Sequence, residues 1–303
     1  MIDITHKNNT LRIATAQAIV KVSKPETIVA IKENKVPKGD VFAMSKAVGL
    51  LGVKKTALLL ADCHPMPIEA TTINYEIKDL AIHIYITVKT IYKTGVEVEA
   101  MHGASLVALN IYDMLKPIDK GIEIHEIKLV DKKGGKSDFK DKYRQDLKAV
   151  VIVCSDTISQ GQKEDKAGKA IIDKLKECGV SIADYIIIPD EKAIIAEKAA
   201  FYANEKVNLI IYTGGTGLSS RDVTPEALRP LLDREIKGIE ETIRSYGQNR
   251  TPYSMLSRSV AGVIKDSLVL ALPGSTNGAK ESMEAVFPAI LHAFRILKGA
   301  RHD

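Results

Sequence analysis

Residues 130–148 read VDKKGGKSDFKDKYRQDLK, a glycine-containing, densely charged run with strongly apolar sequence on either side. A run of this kind buries too little apolar surface to belong to a core, so it reads as the junction between two cores. The division is placed near Gln145, giving a first domain over residues 1–145 and a second over 146–303. The length of 303 residues agrees, at about 150 residues per domain.

Upstream of the junction, Ile82, Ile84, Ile86 and Val88 alternate with His83, Tyr85 and Thr87, the period of a half-buried strand. Residues 25–34 read as a short helix with Pro25 at its first position, and Asp40 caps a second helix running to about Lys55. Thr94 and Gly95 turn the chain into a long helix that ends at Lys116, where Pro117 stops it. Residues 122–130 supply a further strand. Together these predict an α+β domain, an antiparallel sheet with helices on one face. Downstream, the apolar runs 149–154, 185–188 and 209–212 alternate with helices at about 165–178 and 193–204. Continuous apolarity marks parallel strands covered on both faces, so the second domain is expected to be a three-layer α/β/α fold with a mostly parallel sheet. A last helix over residues 279–298 is expected to kink at Pro288.

Hydrophobic residues make up 45% of the chain and charged residues 27%, an ordinary globular balance. The net charge of +5 suits small anionic ligands. Aromatics are only 5%, with no Trp, too few for the stacking platforms of nucleic-acid binding, so no nucleic-acid partner is expected. No apolar run approaches the roughly 18 residues of a membrane span, and MIDITHKNNT lacks a signal peptide's apolar stretch. No membrane partner and a cytoplasmic location are therefore expected. Cys63, Cys154 and Cys178 form no CxxC pair, which speaks against a disulfide or zinc framework.

The first domain carries scattered cations and proton carriers, each ambiguous alone. Asp113 and Lys116, at i,i+3, are either a solvated ion pair or a functional pair. His64 is either a general acid/base or a hydrogen-bonded loop histidine; Cys63 beside it reads as a small hydrophobe. As a set they are far more specific. KGDVFAMSKAVG (38–49), KKTALLLADCHP (54–65), KTGVEVEAMHGAS (93–105), IYDMLK (111–116) and GGKS (134–137) follow in that order. Over about residues 1–140 the chain resembles the cyclic pyranopterin monophosphate synthases, the MoaC family. The resemblance implies a ferredoxin-like α+β fold, a hexameric homo-oligomer, and rearrangement of cyclised dihydro-GTP to a tricyclic pterin with loss of pyrophosphate and closure of a cyclic phosphate. It implies Asp113 and Lys116 as the catalytic pair, with Asp62, Cys63, His64, Glu97, Val98 and Glu99 on the substrate. Lys38, Lys54, Lys116 and Lys136 are the cations such a triphosphate needs. For Lys116 to act as a base, neighbouring lysines would have to lower its pKa from about 10.4. No tightly bound cofactor is expected in this domain.

In the second domain, the apolar run ending at Tyr212 leads into Thr213, Gly214, Gly215, Thr216 and Gly217. Glycines just after a strand either serve a tight turn or let backbone N–H groups approach an anion. The spacing is neither GxGxxG nor GxxxxGK[ST], so neither a dinucleotide site nor a P-loop follows. Thr224 and Pro225 read as the N-cap and first residue of a helix. VCSDT (153–157), IPDE (188–191), TGGTGLSSRDVTPEA (213–227) and LSRSVAGV (256–263) together resemble the MoaB/Mog family of molybdopterin adenylyltransferases, over about residues 147–298. That resemblance implies AMP transfer from Mg-ATP to the terminal phosphate of molybdopterin. Asp190 and Asp222 become the functional carboxylates, holding Mg²⁺ between protein and phosphates, and residues 213–217 bind the pterin or its phosphate. An alternative remains open, in which the second domain binds pterin or mediates oligomerisation without catalysis. Glu240 stands where relatives usually carry Gly, and LPGSTNGAKE (272–281) departs from the commoner LPGxP; a carboxylate added near a phosphate would repel it.

Overall fold

The computed structural model describes residues 1–135, 146–297 and 299. These form two compact units, one on each side of residues 136–145. The expected boundary near Gln145 and the expected cation Lys136 lie outside the described residues.

The first unit runs β1 (Thr10–Lys21), α1 (Pro25–Lys32), α2 (Val41–Leu59), β2 (Ala70–Lys78), β3 (Ala81–Tyr92), α3 (Glu97–Leu115) and β4 (Glu123–Lys133). Its sheet is antiparallel throughout, in the order β2-β3-β1-β4. One face is core: Ile82, Ile84, Ile86 and Val88 of β3 and Ala14, Ala16, Ala18 and Val20 of β1 are buried. Against them α3 sets Ala100, Ala104, Val107, Ala108 and Ile111, all fully buried. Alanines on β1 leave room for a helix to lie close on the sheet. Asp40 caps α2 as expected, accepting from the N–H groups of Phe42 at 3.0 Å and Ala43 at 2.9 Å. The helix continues past Lys55 to Leu59, and within it the Thr56 hydroxyl is satisfied on the carbonyls of Gly52 and Val53.

The second unit runs β5 (Lys148–Cys154), α4 (Asp156–Ser159), α5 (Ala167–Glu177), β6 (Ser181–Ile188), α6 (Lys192–Asn204), β7 (Leu209–Thr213), α7 (Thr224–Leu228), β8 (Arg234–Glu235), α8 (Lys237–Gln248), β9 (Val260–Ile264), β10 (Ser267–Leu272), α9 (Thr276–Val286) and α10 (Ala293–Ile296). Its sheet order is β6-β5-β7-β10-β9-β8. The first four strands are parallel, and β9 and β8 pair antiparallel at the far edge. Alternate residues feed two cores: Ala149 and Val151 pack with α5, α8 and α9, while Val150 and Ile152 pack with α6 and α7. This is the expected three-layer fold.

Three expectations give way. Residues 185–188 were expected to be covered on both faces, but β6 is an edge strand and Ile187 is exposed. The last helix does not kink at Pro288; α9 stops at Val286, because proline holds Phe287 before it in extended geometry (φ −94°, ψ 143°). Thr224 is not an N-cap but the first residue of α7, and its hydroxyl donates instead to the carbonyl of Gly214 at 3.0 Å.

Candidate functional site

In the first unit two groups of the expected site residues gather, one at each end of α3. At its C-terminal end, Asp113 is clamped between two cations: Lys116 Nζ lies 2.7 Å from Oδ1 and Lys38 Nζ 2.5 Å from Oδ2. Hydrogen bonds from Lys116 first and Lys38 second hold the Asp113 carboxyl down at about 2. Near the N-terminal end, Glu99 is 2% exposed, and the Cys63 thiol donates to its Oε1 at 3.3 Å. Burial pushes the Glu99 pKa up; burial and then the Glu99 carboxylate push the Cys63 thiol up to about 11. Glu97 pairs with Lys132 at 3.2 Å, Val98 is exposed, and His64 Nε2 sits 2.8 Å from the carbonyl of Ile2. Asp62 meets the amino group of Met1 at 2.6 Å. Lys54 projects to solvent from α2. Asp113 and Glu99 are separated by fourteen residues of α3, about 21 Å at about 1.5 Å per residue. The structure thus brings Lys38, Asp113 and Lys116 together, and separately Cys63 and Glu99, but does not unite the two groups within one subunit.

In the second unit the expected residues converge at the C-terminal ends of β5, β6 and β7, where ligands of open α/β sheets bind. Gly214 and Gly215 have φ of +104° and +61°, the left-handed region that favours glycine. A Cβ on Gly214 would run into the carbonyl oxygen of Cys154. Four successive loop carbonyls are engaged: Gly214 by the Thr224 hydroxyl, Gly215 by the Thr224 N–H, and Thr216 and Gly217 by the N–H and Nε of Arg258. Thr213 donates its hydroxyl to the carbonyl of Pro273 at 2.8 Å. Asp190 and Asp222 flank the loop. A Cβ on Gly215 would stand 2.8 Å from Asp190 Oδ1, and one on Gly217 would stand 2.9 Å from Asp222 Oδ2. Asp222 Oδ2 accepts the Ser219 N–H at 2.8 Å. Asp190 Oδ1 is buried and has no hydrogen-bond partner among the described residues. Burial raises the Asp190 pKa, and the charges of Asp156 and Asp222 add to the effect.

The family of each unit follows from its sequence. Residues 1–135 match the "MoaC family" and residues 150–292 the family described as "Probable molybdopterin binding domain". A "Molybdenum cofactor biosynthesis bifunctional protein" of Chlorobaculum tepidum is 39% identical over all of this chain and 96% of its own length. The chain belongs to the bifunctional molybdenum cofactor biosynthesis proteins. A "Cyclic pyranopterin monophosphate synthase" of Aquifex aeolicus is 32% identical over 90% of each chain. The crystal structure of the molybdopterin biosynthesis enzyme MoaB from Thermus thermophilus is 40% identical over 52% of this chain and 99% of that one, with a TM-score of 0.49.

Two electrostatic expectations for these units are corrected. Lys116 of the MoaC unit is not brought towards neutrality by other lysines; its hydrogen bond to Asp113 raises its pKa and keeps it charged. Glu240 of the second unit offers no free charge to repel a phosphate. It is buried, its Oε2 lies 3.2 Å from Arg229 and 3.7 Å from Arg244, and its Oε1 accepts the Ala261 N–H at 3.2 Å. Three residues of the second site escaped the sequence reading: Asp156, Arg221 and Arg258. Each stands inside a motif quoted for the family resemblance, VCSDT, TGGTGLSSRDVTPEA and LSRSVAGV, but was given no role; that Arg258 reaches the loop from about forty residues away is visible only in the fold.

Among the described residues no three His, Cys, Asp or Glu side chains form a ready-made metal cage. Magnesium does not need one, since it commonly takes one or two carboxylates and completes its shell with phosphate and water. The unpartnered Asp190 Oδ1 beside Asp222 fits that pattern. No helix among the described residues is long and apolar enough to cross a membrane.

Proposed function

We propose that the MoaC unit is a lyase that converts cyclised dihydro-GTP to cyclic pyranopterin monophosphate and releases pyrophosphate, and that the second unit adenylylates molybdopterin. In the first reaction Asp113 and Lys116 are the catalytic pair. With Lys116 held charged by Asp113, its role is to donate a proton or stabilise phosphate charge rather than to begin as a base. Lys38, Lys54 and Lys136 neutralise the triphosphate, while Asp62, Cys63, His64, Glu97, Val98 and Glu99 bind the pterin end. One small substrate does not bridge two groups at opposite ends of α3. We infer that the site closes between subunits of a homo-oligomer, a hexamer with three-fold symmetry in which the partner copy supplies the missing group.

In the second unit residues 213–217 take the pterin or its phosphate. The observation that carries this reading is the loop's inward-turned carbonyls; the Gly214 N–H is taken by the Leu272 carbonyl, and the arrangement leaves the N–H groups of Gly215, Thr216 and Gly217 to an anion. Asp190 and Asp222 hold Mg²⁺, which when bound neutralises the phosphates of ATP. The molybdopterin phosphate then joins the α-phosphate, and pyrophosphate leaves. With Glu240 paired to Arg229 and Arg244, one of the two sequence departures that favoured a purely binding domain no longer weighs against a phosphate there. Both reactions take place in the cytoplasm, without a nucleic-acid or membrane partner. Incubating the pure protein with Mg-ATP and molybdopterin should give the adenylylated pterin, and Asp222→Asn should slow its formation by about 100-fold or more, in the range for loss of a group acting in the transition state. Absence of product from the unmodified protein returns the second unit to a binding role.

A further inference from the structure

Asp156 begins α4, directly after β5, and both of its carboxylate oxygens are committed. Oδ2 accepts from Arg221 Nε at 3.1 Å and Nη2 at 2.7 Å, and Oδ1 accepts the Asp190 backbone N–H at 3.0 Å. The Asp156 backbone N–H donates in return to Asp190 Oδ2 at 3.3 Å. The segments after β5 and β6 are thereby tied to each other, carboxylate to backbone in both directions, while Asp190 Oδ1 stays buried and unpartnered.

The carboxylates of Asp156, Asp190 and Asp222 face the guanidiniums of Arg221 and Arg258, and Arg258 is already paired with Glu226, so the loop meant for a phosphate carries excess negative charge. A polyphosphate is repelled there unless the charge is rearranged as it binds. Arg221 is the group free to move. Its side chain is 61% exposed, and a guanidinium grips a phosphate with the same fork it offers a carboxylate.

We propose that Asp156 is a positioning residue that holds Arg221 in reserve: the nucleotide's polyphosphate takes Arg221 from it, and a divalent cation replaces Arg221 as the counter-charge to Asp156 and Asp190. This rests on the adenylylation reading above. Cation and nucleotide then favour each other's binding by one shared factor. Nucleotide without metal must strip Arg221 from Asp156 and leave that carboxylate uncompensated.

Calorimetric titration of ATP in chelator, and of Mg-ATP, into the full chain tests the exchange with Asp156→Asn, Arg221→Gln and the double variant. Asn keeps the acceptor for the Asp190 N–H and removes only the charge. Metal-free ATP should bind Asp156→Asn about fivefold tighter than the unmodified protein, the scale of an exposed ion pair. The advantage of Mg-ATP over ATP should shrink by the same factor. Both effects should vanish in the Arg221→Gln background. Loss of a negative charge near an anion also tightens binding through space, without Arg221; an equal gain in the Arg221→Gln background therefore overturns the exchange. So does parallel weakening of ATP and Mg-ATP in Asp156→Asn, the mark of a structural role alone, and so does an unchanged affinity ratio. If the unmodified protein binds neither ATP nor Mg-ATP, the adenylylation reading falls and takes the exchange with it. If it binds both but Asp156→Asn leaves their ratio alone, only the exchange falls.

Discussion

Glu99 and Asp113 lie on one helix and are driven in opposite directions by their surroundings. Asp113 is exposed between two lysines and stays ionised down to about pH 2, so it does not set the acid limb of any activity profile above that. Glu99 is buried, and burial favours its neutral form. The folded protein therefore keeps the Glu99 proton to higher pH than the unfolded chain does. Stability from this group is full below the ordinary carboxyl pKa and is lost as pH rises through the raised one. Glu99→Gln keeps the acceptor for the Cys63 thiol and removes the ionisation. It should leave thermal stability unchanged at pH 4 and raise it at pH 8; melting curves that differ equally at both pH values would count against a burial-driven shift. Composition does not reveal this contrast, since it depends on which carboxylate the fold covers.

The turn after β7 shows how an element can constrain a site more tightly than its motif suggests. Gly214→Ala introduces both a positive φ and a collision with the Cys154 carbonyl, and should destabilise the second unit by about 3 kcal/mol or more. Gly161 also has a positive φ, +73°, but open space around it. Its alanine variant should cost about 1–2 kcal/mol, and denaturant titration of the two side by side separates backbone strain from collision. The glycine run was plain in the sequence; its packing against β5, a strand more than fifty residues earlier, was not. The same contrast holds across the fold. Alternation made β3 legible, and continuous apolarity did the same for β5 and β7. The alanines of β1 and the mixed composition of β2 carry no such signal, because their place is set by the helices and by β3. Residues 260–264 and 267–272 are apolar enough to be strands, yet they were read only as motif, so the antiparallel end of the second sheet went unseen. The Asp113–Lys116 pair was legible from spacing, while Lys38, its second clamp, stood in the sequence only as a scattered cation, because its contact with Asp113 joins segments seventy-five residues apart.

At the level of the whole chain, the first unit and the second keep separate cores: the one built on β1, β3 and α3 shares no residue with the two that cover the larger sheet. We propose that each core is large enough to stand alone and that the chain divides between them near Gln145. A fragment of residues 1–145 should then fold, assemble and turn over cyclised dihydro-GTP at a rate close to that of the full chain. Lys116→Ala in the fragment should remain folded, because an exposed ion pair contributes about 1 kcal/mol at most. It should lose turnover by about 100-fold or more if, as we propose, the same lysine answers the charge that develops on phosphate. The two measurements answer different questions. Circular dichroism and light scattering report whether the fragment folds and associates, and pterin formation reports whether the site is complete without the second unit. A folded but inactive fragment would point to a contribution of the second unit to assembly, if, as we propose, the two ends of α3 meet only through a partner copy. An unfolded fragment would refute the independence of the cores, and an active Lys116→Ala fragment would remove Lys116 from the chemistry while leaving the domain division intact.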